Sequence, residues 1–165
     1  MSTRAPLRSD DAPQQIDATL HAWISQPVAQ TYGATLEHVH EPDEVGNYHW
    51  LVRLKGEEKD VVTVWFSLRQ RTVYVECELM PAPESNKEDL YAYLLSKNAD
   101  MREVHLALGP EKGVYLVTQV PYGELSLDRV DELLGAIVVY VDELFSTAMS
   151  LGFQGLYRRR KRSIH

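Results

Sequence analysis

Three of the six histidines sit close together, His38, His40 and His49, with Glu41, Asp43 and Glu44 between them. On a strand, positions 38 and 40 share a face, and imidazole with carboxylate is a donor set that suits zinc. The segment reads as a polar loop, however. It holds no cysteine, and its spacing fits no metal signature. A solvated loop is the reading, with no metal and no cofactor expected; a small metal-dependent enzyme built on His38, His40 and His49 is the alternative. Elsewhere, Glu76 and Glu78 flank Cys77 on one strand, an arrangement that usually means a solvated face. Cys77 itself falls on the apolar side, as a structural thiol does. His105 alternates with Val104 and Leu106 and is expected at the surface. The chain has no G-x-S-x-G elbow, no glycine-rich phosphate loop and no H-E-x-x-H. No catalytic residue is assigned, and the chain is not expected to be an enzyme.

The stretch from Val61 to Asn98 supplies the frame for everything else. Val62, Val64, Phe66 and Leu68 alternate onto one face, and Val73, Val75, Cys77 and Leu79 repeat the pattern after Arg69-Gln70-Arg71. That period of two predicts a hairpin. Pro81 and Pro83 stop its second strand, Ser85-x-x-Glu88 has capping-box spacing, and Leu90, Tyr91, Leu94 and Leu95 give the following helix an apolar side. Upstream, Asp11 and Pro13 open a helix over Ile16, Leu20, Trp23 and Ile24 that runs to Pro27. Tyr48, Trp50, Val52 and Leu54 form the first strand, and residues 31–47 read as polar and turn-rich with a short extended piece at 35–40. Downstream, Glu103 to Leu108, with Val104, Leu106 and Leu108 on one face, and Val114 to Val120 are two further strands. Ser126 then caps a last helix that carries Leu127, Val130, Leu134, Ile137, Val141, Leu144, Ala148 and Leu151.

The expected fold is therefore α+β, an antiparallel five-stranded sheet with elements in the order α-β-β-β-α-β-β-α. If Val62, Val64 and Phe66 face the helices, Leu51, Val61, Trp65 and Tyr74 face the other way. They would form an apolar patch able to bind a partner protein, unless the first or last helix covers them. Leu133, Val138, Val139 and Tyr140 widen the last helix's apolar stripe beyond one contact face. Two readings stand side by side: a helix buried in its own domain, or a helix shared with a second copy in a homodimer.

Composition bounds the partners. Of 165 residues, 44% are hydrophobic and 25% charged, ordinary proportions for one globular domain. A single cysteine excludes an internal disulfide framework. Five of the 17 basic residues form Arg158 to Arg162, so the chain up to Tyr157 sets 12 bases against 24 acids, a net −12. Such a body repels a phosphate backbone, and nucleic-acid binding by the folded domain is not expected. The longest apolar run, Leu133 to Val141, is too short to span a bilayer. The N-terminus lacks an apolar signal segment, so a cytoplasmic location with no membrane partner is expected. The organisation expected is a flexible tail over residues 1–10, one domain over 11–157 and a basic tail over 158–165.

The motif series resembles the YbjN-domain family, in its actinobacterial branch. The residues that carry it are Val64 to Leu68, Val73 to Glu76, Pro81 to Glu84, Leu90 to Leu95 with Asn98, Val114 to Val117, Pro121, Leu133 to Gly135 and Leu151 to Phe153. The likeness covers about residues 45–157. It implies a fold similar to type III secretion chaperones and a non-catalytic, chaperone-like or regulatory protein, often dimeric, that holds partner proteins. A ligand-sensing regulatory module without a client protein is the alternative. The resemblance transfers no active site.

Overall fold

A computed structural model of the chain describes residues 4–157. Two helices come first, α1 (Ala12–Ile24) and the short α2 (Pro27–Thr31). Four strands follow, β1 (Thr35–Val39), β2 (Tyr48–Lys55), β3 (Val61–Leu68) and β4 (Thr72–Met80). The chain continues through α3 (Lys87–Asn98), β5 (His105–Leu108), β6 (Val114–Pro121), a 3-10 turn at Tyr122–Glu124, and α4 (Leu127–Gly152). Every neighbouring pair of strands is antiparallel, in the order β1-β2-β3-β4-β6-β5. The α+β class and the antiparallel sheet hold, but the strands number six, not five. The additional strand is β1, where only a short extended piece was expected. As an edge strand it buries little, and its residues Thr-Leu-Glu-His-Val give no apolar alternation to read.

Helices pack on one side of this sheet. Ile16, Leu20 and Trp23 of α1, Leu90 and Leu94 of α3, and Val130 to Ala148 of α4 share one buried cluster with Trp50, Val52, Val62, Val64, Phe66, Val73, Val75 and Leu116. The two largest side chains in it each keep one polar atom satisfied. Trp50 Nε1 donates to Asp17 Oδ1 at 2.9 Å, and Trp23 Nε1 donates to Asp131 Oδ1 at 3.0 Å. α4 is long and apolar enough, by length and composition, to cross a membrane. Its residues Val130, Leu133, Leu134, Ile137, Val138, Val141, Leu144 and Ala148 are buried in the chain's own core. Leu133 and Val138, placed at a subunit contact by their excess over one stripe, are 0% and 7% exposed. They cannot reach a second copy. The stripe is wide because α4 lies between the sheet, α1 and α3 and buries several of its sides.

Helix ends show where the sequence signals were used differently. Ser126 caps α4 as expected, accepting from the Arg129 N–H at 3.1 Å. The Ser85-x-x-Glu88 pattern does not form a capping box. Asn86 is the N-cap, at a left-handed φ of 48°, and its side chain makes no cap bond to α3. Ser85 and Asn86 serve the far end of α4 instead. Ser85 Oγ donates to the Leu151 carbonyl at 2.9 Å and accepts from the Gln154 N–H at 2.9 Å, while Asn86 Nδ2 donates to the same Leu151 carbonyl at 3.1 Å. The Gly152 carbonyl accepts from the N–H groups of Glu84 and Ser85 at 2.8 and 2.9 Å. Carbonyls that a helix end leaves without partners are thereby satisfied. A Cβ on Gly152 would lie 2.6 Å from Met80 Cε and 3.1 Å from Pro83 Cβ, so a larger residue there would have to displace the end of the Met80 side chain and press on Pro83. At the opposite end of the hairpin, the segment expected to be a loose tail carries an anchor. The Arg8 N–H donates to the Gln70 carbonyl at 2.7 Å, its guanidinium donates to Leu68 and Gly46, and it stacks over Tyr48. The basic stretch Arg158 to Arg162 lies outside the described residues.

Two measurements test this packing. Asp131→Ala leaves the buried Trp23 N–H without an acceptor and should cost about 1–3 kcal/mol in urea unfolding. Val138→Glu, which forces a charge into the core, should unfold the protein or lower its Tm strongly, whereas Val139→Glu at 53% exposure should leave Tm nearly unchanged. Equal Tm shifts for the two would mean that the helix is oriented otherwise.

Candidate functional site

The histidine cluster is divided by the pleat. In the β1–β2 register His38 pairs with Trp50 and Val39 with His49, so the His38 and His49 side chains leave opposite faces of the sheet. His38 lies on the helix side, its ring stacked on Trp50 at 4.9 Å and 4.8 Å from that of His40. Its Nδ1 is 3.5 Å from Asp17 Oδ1, and its buried Nε2 has no hydrogen-bond partner. Burial holds the imidazole below its ordinary pKa, with His40 and His21 adding to this and Asp17 opposing it. Among the described residues no group of three metal-ligating side chains converges.

On the other face His49 joins two groups that sequence spacing could not connect. Its Nδ1 is 2.8 Å from Ser67 Oγ and its Nε2 is 2.8 Å from Asp43 Oδ2. The residue types are those of a hydrolytic triad, and Ser67 gave no signal because strand pairing alone brings it near. Yet Ser67 is buried in the middle of the sheet, with its strand paired on both sides, so no free backbone N–H groups lie beside it to hold an oxyanion. Asp43 also accepts from the N–H groups of Asn47 and Val45, at 2.9 and 3.0 Å, and these bonds, with His49, hold its carboxyl below the usual range. The trio clips the β1–β2 loop to the sheet. Cys77, on the helix side, is equally unsuited to nucleophilic work, because burial pushes its thiol up to about 12.

What remains is the face without helices. A row of cross-strand neighbours runs over all six strands, Glu37, Leu51, Trp65, Glu76, Val117 and His105. Beside it, Ser67, Tyr74 and Gln119 form part of a second row. All four residues expected to bind a partner therefore lie on this side: Trp65 and Tyr74 are half-buried, Val61 is 49% exposed, and Leu51 is only 4% exposed. Leu51 and Val117, the latter at 6%, are buried without belonging to the helix-side core. Leu51 lies beside Trp65, and Val117 beside Glu76, on this face. Leu51 thus supports the patch from beneath, and Val117 and Tyr115 belong to it although the sequence reading left them out. Of the four residues expected at a dimer contact, Val139 is exposed, while Tyr140 is half-buried and accepts from the Arg102 N–H at 2.8 Å. Separately, an apolar cavity of about 260 Å³ opens between α3 and β5, lined by Tyr91, Leu94, Leu95, Leu106 and Leu108.

The chain is similar to the following known proteins. The model of the YbjN family, described as putative bacterial sensory transduction regulators, matches residues 27–148. Proteins of Mycobacterium bovis and Mycobacterium tuberculosis are 32% identical over 109 residues, covering 66% of this chain and 60% of theirs. A Mycobacterium leprae protein is 29% identical over 104 residues, 63% of this chain and 56% of its own. The chain thus spans about 60% of the length of the curated relatives that it matches. Among solved structures, a chain of the heterodimeric ExoU–SpcU complex from the type III secretion system of Pseudomonas aeruginosa superposes with a TM-score of 0.44 at 15% identity. It covers 58% of this chain and 84% of that one.

His38 makes the helix-side packing pH-dependent. The unfolded chain takes up a proton near pH 6.5, while the folded chain resists it, so stability is complete above that pH and falls as the pH drops below it. Urea unfolding should give a lower free energy at pH 5.5 than at pH 7.5, and His38→Phe, which keeps a ring on Trp50, should flatten that slope. A slope unchanged by the substitution would assign it to other groups.

Proposed function

The chain belongs to the YbjN family, and on that premise we propose that it is a non-catalytic regulatory or chaperone-like protein that holds a partner protein on the open face of its sheet. The observation behind this reading is the apolar centre of that face, Leu51, Trp65 and Val117, left without a helix although helices crowd the opposite side. A half-exposed tryptophan beside a buried leucine, with a buried valine one strand beyond Glu76, is the kind of anchor that carries much of an interface's energy. The scattered titratable groups argue the same way. Among the described residues, each cluster that could do chemistry is either divided between the two faces, as the histidines are, or committed to structural hydrogen bonds, as Ser67, His49 and Asp43 are.

A second reading has its own observation. The cavity between α3 and β5 is lined by leucines and has the size for a small apolar ligand, which fits a sensing module whose ligand alters the partner surface. A homodimer belongs to the proposal only through exposed positions such as Val139, since Leu133 and Val138 are inside the chain.

The test uses the full chain as bait in its native cell extract, beside a Trp65→Ala variant that matches the wild type in circular dichroism and Tm. The partner captured by the wild type should be lost from Trp65→Ala by tenfold or more, in line with a loss of about 2 kcal/mol at an aromatic anchor. Full retention by Trp65→Ala and by Tyr74→Ala would remove the open face as the docking site. Loss on Leu95→Glu alone would favour the α3–β5 cavity.

A further inference from the structure

Glu76 stands at the centre of the open face, and no described residue answers its charge with an ion pair. It pairs across the sheet with Trp65 on one side and Val117 on the other, and it is half-buried. Among the described residues no hydrogen bond or ion pair reaches its carboxylate, and this sets it apart from the other acids of the face. Glu37 is bonded to Arg53 at 2.6 Å, and Glu78 accepts from the Tyr115 hydroxyl at 3.2 Å. A half-buried carboxylate gives up part of its hydration, and without a partner it recovers none of that cost.

Its surroundings suit a cation. Glu76, Tyr74, Tyr115 and Val117 line one cleft of about 360 Å³, closed at one end by the Gly109–Pro110 turn. Tyrosine faces attract a cation placed over them, and planar guanidinium stacks there better than ammonium does. Tyr74 already demonstrates this, since the Arg69 guanidinium from the β3–β4 turn sits 4.2 Å from its ring centroid. That arginine stops short of an ion pair with Glu76. Both phenols are held above their usual pKa, chiefly by burial and then by nearby carboxylates; for Tyr74 the second cause is Glu76 itself. The cleft is therefore partly desolvated and negative. The chain up to Tyr157 carries a net −12, so the wider field also draws cationic segments inward.

We infer that the cleft over Glu76 receives one cationic side chain, arginine in preference to lysine, carried by an extended apolar segment of the partner protein. The inference rests on the docking of a partner on the open face and specifies what that partner presents. Apolar residues of the segment cover Trp65, Leu51 and Val117. Its guanidinium lies between Tyr74 and Tyr115 and donates to the Glu76 carboxylate, a charge-assisted bond with planar geometry on both sides.

The experiment titrates full-length protein, by two-dimensional amide NMR, with three acetylated and amidated heptapeptides of alternating leucine and threonine that differ only at the centre. The central residue is arginine, lysine or citrulline, the last keeping arginine's shape without its charge. The arginine peptide should bind tightest, with the citrulline peptide roughly tenfold weaker, and the shifts should centre on β3, β4 and β6. Glu76→Gln should bring the arginine peptide down to the citrulline level and leave the citrulline peptide unchanged, while Glu37→Gln should change neither. Equal affinities for the arginine and citrulline peptides would overturn the inference, as would no saturable binding of the arginine peptide up to about 5 mM. If all three bind equally and Trp65→Ala abolishes all three, the cation pocket is gone and the docking face stands. Charge-selective binding that depends on Glu76 but survives Trp65→Ala would keep the pocket and remove the broader face.

Discussion

A six-stranded sheet has two faces to cover, and the described residues supply helices for one. α1, α3 and α4 all lie on the same side, and α4 alone runs about 39 Å, at the rise of an α-helix, so it crosses much of the sheet. The apolar residues of β2, β3, β4 and β6 that point to this side become the core. Everything on the reverse must either be polar or be covered by something else. Most of it is polar, with Thr63, Ser67, Glu78 and Gln119 pointing outward. The exception is the middle, where Leu51, Trp65 and Val117 are apolar around a single carboxylate, Glu76. That contrast between a solvated rim and an apolar centre is what separates a binding face from an ordinary sheet surface.

The same one-sided arrangement explains how the two halves of the chain are held to each other. α4 would slide or fray if only apolar contacts retained it, because such contacts have no preferred register. Polar contacts fix its position instead. Near its start, Asp131 receives the Trp23 N–H and Arg129 is paired with Glu103, from the segment before β5. In its middle, Asp142 accepts from the N–H groups of Glu57 and Glu58 in the β2–β3 turn, and Ser146 donates to the Glu58 carboxylate at 2.8 Å. At its end, Ser85 and Asn86 close on Leu151 and Gln154. Hydrogen bonds spaced along one helix convert a greasy contact into a single defined seat.

Much of this was legible in the sequence, for reasons that can be named. Period-two alternation identified β2, β3, β4 and β6 because each buries one face fully, and Ser126 announced α4 because a serine before an amphipathic run has one strong use there. β1 was missed because an edge strand needs no apolar face. Ser85 was read as a local cap because spacing describes only neighbours in sequence, whereas its partners, Leu151 and Gln154, come from the far end of the chain. The same limit hid the Ser67–His49–Asp43 clip. Leu133 and Val138 were placed at a subunit contact because a stripe too wide for one neighbour can mean a second molecule or several neighbours within the fold. Only the positions of α1 and α3 decide between these. The outward set Leu51, Val61, Trp65 and Tyr74 was readable from parity alone, since a strand's two faces alternate without exception between bulges. Its partner residues Val117 and Tyr115 needed the strand order, β6 beside β4, which no local pattern encodes.

A partner can meet a sheet at an edge or on a face, and here the edges are poor templates. β1 is five residues long and exposes the Glu37 side chain, paired with Arg53. β5 is four residues long, and its outward backbone at Leu106 is already occupied: the Leu106 N–H donates to Asn98 Oδ1 at 2.7 Å and its carbonyl accepts from Asn98 Nδ2 at 3.1 Å. The Asn98 amide thus takes the place that a seventh strand would fill. Short, charged or capped edges are what keep an open sheet from pairing indiscriminately with other chains. Recognition is then left to side chains on the face rather than to backbone ladders. Backbone pairing accepts nearly any extended sequence, but a face discriminates by what stands on it. With the edges closed, the partner binding proposed here would have to be discriminated by side chains at the centre of the face, Trp65 and Glu76 among them.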